Sequence, residues 1–523
     1  MFSRFLIENK RQNTLVFFLV VLLYCITNFL YKITFEAGDD ILMQQIIQGS
    51  VSGSPDVHLV FMNSILGYIL KPFYLFDNQI YWYSGMLFIF QFISFFVILK
   101  FVFQKKQPWY IILSTLFFFQ YFIIRFQFTS IAGLTCLAAV LLYCYESDNN
   151  TIKKYTGSFI LFLFSSLLRF DMFMLMFVLS FTVLLLESGS YFGFVRKVKY
   201  VFFVPLFLVI FGISYFDKIL YENDVEWSYF KDFNKIRGSI NDNSNLKKYI
   251  DYIEKGNPQL ASELKVVEMF VYPQKYDVNE LTSLKKTIGE QSLTMLLYNT
   301  VIVFKSSIKI SLGIVFLGAL GLYFFIKKDK RFLFFVLFSL IFVYVNFNAM
   351  FKPRLLYPIL LLVLVFYVLN LNNKLKKLIS VFFILTFNVF NTTYFFNNDK
   401  YIKPINYKEI KSMPQDKLLF CLDSPELEVH PFKLNLNNNL PNIIEKGWLS
   451  NSPLYIEKLK RFGINIKQNF SIYDHPSICD RILYYYNGNV DVFNANLIYQ
   501  NFQLVPYKEY KKIYIMKKII TNK

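Results

Sequence analysis

Apolar runs long enough to enter a bilayer recur along this chain, separated by polar connections that carry lysine and arginine. They cover residues 15–31, 81–103, 109–126, 130–145, 202–215, 311–326, 332–347, 355–371 and 378–396, and residues 161–186 read as a hairpin of two shorter arms. A helix needs about 20 apolar residues to cross the hydrocarbon core, so the pattern predicts an α-helical polytopic membrane protein with about 11 transmembrane helices. One further stretch, 57–76, is broken by His58, Asn63, Lys71 and Pro72 and follows a turn-rich loop from Gly49 to Pro55. It is expected to lie along the surface rather than to span.

Charge tests that choice. Arg4, Lys10 and Arg11 precede the first run, which puts the N-terminus in the cytoplasm. With 57–76 on the outer surface, the cations at Lys105 and Lys106, at Lys153 and Lys154, around Lys197, around Lys328 and around Lys376 all return to the cytoplasmic side. Had it spanned, every one of these clusters would move outside. The polar stretch 216–290 then becomes a partly helical external insertion, and 33–80 becomes the first outer loop. Residues 1–396 form the membrane domain. Residues 397–523, with short alternating runs near Lys417 and Lys512 bounded by Pro, Asn and Gly, suit an extracytoplasmic C-terminal α/β domain.

Composition changes this picture little. The 523 residues are 55% hydrophobic and 20% aromatic, which fits repeated spans. A net charge of +19 would suggest nucleic-acid binding in a soluble chain, but here the cations sit between apolar runs, so no nucleic-acid partner is expected. Residues 15–31 are long enough to span and no small-residue cleavage site follows, so no removable signal is read there. Cys25, Cys136 and Cys144 lie in apolar runs, while Cys421 and Cys479 lie in the tail, where an oxidising compartment would permit a bridge. No metal-ligand spacing occurs among cysteine and histidine.

The candidate chemistry lies where charges break the topological rule. Asp39 and Asp40 follow the first run directly, in Phe35-Glu36-Ala37-Gly38-Asp39-Asp40, and Arg125, Arg169, Asp171, Lys305, Lys309, Lys352 and Arg354 fall at the outer ends of other runs. Charges at the membrane boundary are costly enough that they pair or face water. Arginine offers a planar fork to phosphate oxygens, and aspartate can accept a proton from an incoming hydroxyl. Plainer readings exist for each: Asp39 as a helix cap, Arg169 with Asp171 as a pair at a hairpin tip, Arg354 as an interfacial anchor, and His58 as a structural partner of Asp56.

A carboxylate pair after the first span, a surface helix in the first outer loop, many further spans and an external C-terminal domain resemble the GT-C superfamily of integral-membrane glycosyltransferases. The motif that carries the resemblance is Gly38-Asp39-Asp40, followed by Pro55-Asp56-Val57-His58-Leu59. Residues 227–242, with Phe233-Asn234-Lys235-Ile236-Arg237, and Lys352-Pro353-Arg354-Leu355-Leu356-Tyr357-Pro358 are similar to an uncharacterised bacterial branch. The Trp-Trp-Asp-Tyr-Gly type signature of oligosaccharyltransferases is absent, which argues against protein N-glycosylation.

The resemblance implies transfer of a sugar from a polyprenyl-phosphate-linked donor to an extracytoplasmic glycan or lipid-linked acceptor, in envelope polysaccharide or lipopolysaccharide assembly at the inner membrane. Asp39 or Asp40 would be the general base of an inverting displacement. Arg354, Arg169, Lys352 and Arg125 would hold the donor phosphate, and His58, Asp171, Asn234, Arg237 and Tyr357 would contact acceptor or substrate. No metal ligands are assigned, and Mg2+ or Mn2+ assistance stays open. Two rivals share the outer arginines or the spans: a polymerase or ligase using a lipid-pyrophosphate oligosaccharide, and a transporter or flippase of lipid-linked sugars.

Overall fold

The apolar runs fold as helices. A computed structural model describes residues 10–146, 155–187, 200–243, 245–269, 271–272, 276–289, 308–348, 352–386, 417–421, 431–432, 443–445, 447–463, 482–485, 490–497, 502–507 and 513–518. Helix α1, Lys10–Leu30, leads through a two-residue strand β1, Thr34–Phe35, to α2, Gly38–Gln48, and α3, Ser64–Phe76. Then come α4, Trp82–Gln104, α5, Trp109–Ile124, strand β2, Arg125–Phe126, α6, Phe128–Glu146, and the hairpin α7, Thr156–Leu168, with α8, Phe170–Glu187. Helix α9 spans Tyr200–Glu222, past the end that its apolar run suggests. Among the described residues, α1, α4 and most of α9 are long and apolar enough to cross a membrane.

The core gathers on α6. Ile131, Ala132, Leu134, Cys136, Leu137, Ala138, Ala139 and Val140 are all fully buried there. Small residues let neighbouring backbones approach, and in lipid it is such packing, with interhelical hydrogen bonds, that holds helices together. Ser165 Oγ of α7 donates to the Ala132 carbonyl and Ser158 Oγ to the Ala139 carbonyl, both at 2.8 Å. On the other side of α6, Ser94 of α4 meets Thr135, Oγ to Oγ1 at 3.3 Å.

The stretch 57–76 is helical only from Ser64. Asn63 caps the helix, accepting from the Ile65 amide at 3.0 Å, and Asp217 Oδ1 of α9 accepts from the Ser64 amide at 2.8 Å and from its hydroxyl at 2.6 Å. With 13 residues, α3 is roughly 20 Å long, short of a span, and Tyr68, Ile69, Phe73 and Phe76 face outward from it. Its Gly67 packs directly on the extended segment before it, where an added Cβ would overlap the Val57 carbonyl. Because the obstacle is backbone, Gly67→Ala is expected to cost about 1–3 kcal/mol, read as a lower midpoint of thermal unfolding in detergent.

After α9, the insertion is helical through most of its described length, more so than its polar sequence suggests. It contains α10, Val225–Asn241, α11, Asn245–Ile253, α12, Pro258–Glu268, and α13, Val278–Ile288. Phe233, Ile240, Leu246, Ile250, Leu264, Val267 and Leu281 form a hydrophobic cluster of its own. Helices α14, Ile308–Ile326, α15, Phe332–Asn348, and α16, Pro353–Phe366, follow, and then a helix, α17, over 373–386.

The tail builds a five-stranded mixed sheet. Its strands are β3, Leu418–Cys421, β4, Ile443–Glu445, β5, Ile482–Tyr485, β6, Phe502–Pro506, and β7, Ile513–Lys518, in the order β4-β3-β5-β7-β6. Strand β3 pairs in parallel with β4 and β5, and β7 is antiparallel to β5 and β6. The central strands are apolar without alternation, and Leu418, Leu419, Ile482, Leu483 and Tyr484 are buried, as strands covered on both faces require. A 3₁₀ turn, Trp448–Asn451, and α18, Pro453–Arg461, lie between β4 and β5, and α19, Asp491–Leu497, lies between β5 and β6. Cys479 and Lys305 lie outside the described residues, so neither the tail bridge nor that lysine is placed.

Two ends of the helical body keep distinct company. At one end Lys376 Nζ donates to Gln107 Oε1 at 3.1 Å and Tyr110 Oη to the Asn373 carbonyl at 3.4 Å, which brings together two connections rich in lysine. At the other end the start of α2 meets the start of α16 and the tail.

Candidate active site

The Asp39 and Asp40 backbone is fixed before either side chain acts. Strands β1 and β2 pair in parallel, Thr34 with Arg125 and Phe35 with Phe126, and the Glu36 amide donates to the Phe126 carbonyl at 3.0 Å. This pins the start of α2 to the α5–α6 junction. The residue preceding the helix is Ala37, which makes no side-chain cap, so Asp39 is not a cap but sits in the first turn. Carboxylates there interact favourably with the helix dipole.

Adjacent helical residues point about 100° apart, and the two carboxylates have different surroundings. Asp40 is fully buried, and its Oδ1 accepts from Tyr83 Oη at 2.9 Å and from the Phe128 amide at 3.2 Å. Its Oδ2 has no hydrogen-bond partner among the described residues. Burial holds the Asp40 carboxyl well above the usual range; nearby Asp39 adds to this, and the bonds from Tyr83 and Phe128 only partly oppose it. Asp39 faces the other way. Arg354 Nη1 lies 3.7 Å from its Oδ2, Trp448 Nε1 donates to its Oδ1 at 3.1 Å, and the Asp39 and Arg354 side chains are each about a quarter exposed.

Arg354 is the second residue of α16, and Ser130 Oγ of α6 donates to its carbonyl at 3.4 Å. Arg169, between α7 and α8, completes the cationic side. It lies 3.4 Å from Asp171, donates to the Phe61 carbonyl at 3.4 Å, and rests over the rings of Phe61 and Phe128 at 5.6 and 5.9 Å. Asp39 and Arg354 are both within its electrostatic reach. Asp171 is mostly exposed, so that pair adds little stability. Trp448 closes the group from the tail, with its ring edge-on to Phe61 at 4.7 Å. One carboxylate open to water, facing two guanidinium groups, can accept a proton beside a place for an anion.

No family model, no curated protein and no solved structure matches this chain.

The structure places the other candidates as follows. Lys352 precedes α16, two residues from Arg354, and Arg125 is paired through its backbone with Thr34. Tyr357 is buried against the ring of Tyr121 at 4.1 Å. Asn234 and Arg237 engage each other in the insertion, where Arg237 Nε and Nη2 donate to Asn234 Oδ1 at 3.0 and 2.7 Å. His58 is held by Asp56, whose Oδ1 accepts from the ring Nδ1 at 2.7 Å and from the His58 amide at 2.8 Å. Burial pushes the Asp56 carboxyl up, but the bonds and charge of His58 outweigh it and hold the group below its usual value. An ionised carboxylate only accepts, so Nδ1 donates and Nε2 is left as the ring's other face. The His58 ring stacks on Trp227 of α10 at 4.2 Å and meets Tyr221 edge-on, which joins the segment before α3 to the insertion.

Among the described residues, no group of three or more His, Cys, Asp or Glu is arranged to hold a metal ion. Asp39 engages Arg354 and Trp448, while Asp40 is turned inward, so the carboxylate pair does not form a cation cradle. Sequence reasoning passed over Trp448, Tyr83, Phe128 and Phe61. Trp448 alone carried a signal: it is one of four tryptophans, in an otherwise polar stretch.

Proposed function

We propose that this protein is a GT-C-type membrane glycosyltransferase with eleven spans, a cytoplasmic N-terminus and a C-terminal domain outside the inner membrane. It transfers a sugar from a polyprenyl-phosphate donor to an extracytoplasmic glycan or lipid-linked acceptor. The observation that carries the reading is the division of labour in the carboxylate pair, with Asp39 open to water against Arg354 and Asp40 sealed. The grouping of lysine-rich connections at the opposite end supports the proposed sidedness.

In this reading the acceptor hydroxyl gives its proton to Asp39 as its oxygen attacks the anomeric carbon. The bond from that carbon to the phosphate oxygen breaks, with inversion. Arg354, with Arg169 behind it, turns from Asp39 to the leaving phosphate, where fixed cations lower the barrier. Lys352, two residues before Arg354, and Arg125 are further candidates to hold that phosphate. Asp40 holds α2 in position and moves no proton, and no step runs through a metal.

The test is transfer of radiolabelled sugar from synthetic polyprenyl-phosphate donors by purified protein in liposomes. Consumption of a monophosphate donor supports the reading. If instead only lipid-pyrophosphate oligosaccharides are polymerised, or lipid-linked sugars cross the bilayer without transfer, the polymerase or the flippase replaces it. Arg354→Ala is expected to lower kcat/KM for the donor by about 10- to 100-fold, the worth of a charge-assisted contact. Unchanged donor kinetics would remove Arg354 from its role.

A further inference from the structure

We infer that Trp448 is a positioning residue for the proton acceptor, supplied to the membrane-domain site by the tail; this rests on the glycosyl-transfer reading. Its indole Nε1 donates to Asp39 Oδ1 at 3.1 Å, and the partners lie 409 positions apart in the chain. An indole N–H only donates, so the contact fixes which oxygen is engaged and leaves Oδ2 toward Arg354.

Trp448 is itself held firmly. Gly447 before it has φ +118°, a backbone open to glycine and strained for other residues. After it, the Ser452 side chain caps α18, with Pro453 opening that helix. Trp448 is 7% exposed, and its ring packs edge-on against Phe61, which also carries the Arg169 guanidinium. The tail is fastened to the membrane domain at further points. Ser84 Oγ of α4 donates to the Pro431 carbonyl at 2.8 Å, Phe432 meets Phe88 and Phe126, and Arg461 lies against Gly53. A side chain anchored at this many places can hold Asp39 in one orientation through the reaction.

The charged groups facing Asp39 are Arg354 of α16, Arg169 of the α7–α8 turn and Asp40 of its own helix, and all remain when the indole N–H is lost.

The test is Trp448→Phe, which keeps a ring against Phe61 and removes the N–H. In the transfer assay kcat is expected to fall by about 10- to 100-fold with donor KM unchanged, a split that a merely structural role would not give. Unchanged kcat overturns the inference. A second readout needs no substrate: 5-fluorotryptophan labelling gives a fluorine resonance for each of the four tryptophans, and Trp448→Phe identifies one of them. That resonance should shift in Asp39→Ala, which removes the acceptor of its N–H; indifference to Asp39→Ala overturns the contact even if the Phe variant misfolds. If wild type consumes no donor while the resonance follows Asp39, the glycosyl-transfer reading fails and the contact stands.

Discussion

Asp39→Asn is expected to slow sugar transfer by roughly 10²- to 10⁴-fold, the contribution of a positioned proton acceptor. The amide matches the carboxylate in size, and its oxygen can still receive the Trp448 N–H, so the local fold should persist. Arg354 would lose its anionic partner and become fully available to phosphate. The signature is therefore a split: kcat falls while donor KM stays level or drops. Initial rates in proteoliposomes over a range of donor concentrations read both. A variant with wild-type kcat would dismiss Asp39 as the base, and a raised donor KM with intact kcat would make it a binding group.

Asp40→Ala is expected to act on stability instead. It strips the acceptor from two buried donors, Tyr83 Oη and the Phe128 amide, and leaves a void where α2 meets α4 and α6. An unpaired buried donor costs about 1–3 kcal/mol, so the total should reach about 3–5 kcal/mol and show as a large fall in unfolding midpoint in detergent. Asp40→Asn is milder, because one oxygen can still accept both bonds.

The pH dependence has a definite sign. The folded Asp40 keeps its proton to higher pH than the unfolded chain, so its contribution is fullest below about pH 4 and is lost as pH rises through the raised pKa. The midpoint of wild type relative to Asp40→Asn should therefore decline with rising pH. A difference that is flat with pH would mean that burial does not perturb Asp40.

The helices were legible because apolar runs of about 15 or more residues with few Gly or Pro breakers are too long for ordinary strands. That 57–76 does not form one helix of spanning length was legible from His58, Asn63, Lys71 and Pro72, which break its apolar run. The start of α3 at Ser64 has a local mark in the capping Asn63, but the second anchor there, Asp217, comes from α9, and sequence spacing says nothing about such a partner. The insertion hid its helices for a related reason: its apolar positions are sparse, yet they suffice for a small core of their own. In the site, Asp39, Asp40, Arg354 and Arg169 could be singled out because they are charges set directly against long apolar runs. The separate fates of the two carboxylates followed from helical geometry. Which of them is sealed depends on Tyr83 and Phe128, uncharged residues with nothing local to mark them.

The tail's fastenings to Gly53, Ser84 and Asp39 have a consequence for biosynthesis on the proposed topology. A chain leaving the ribosome has inserted Asp39 and Arg354 long before residues 431–461 are made. Its outer face is completed only after the tail has crossed the membrane and folded. Partly translated chains, already carrying both charged partners, would thus sit among donor lipids without a finished catalytic face.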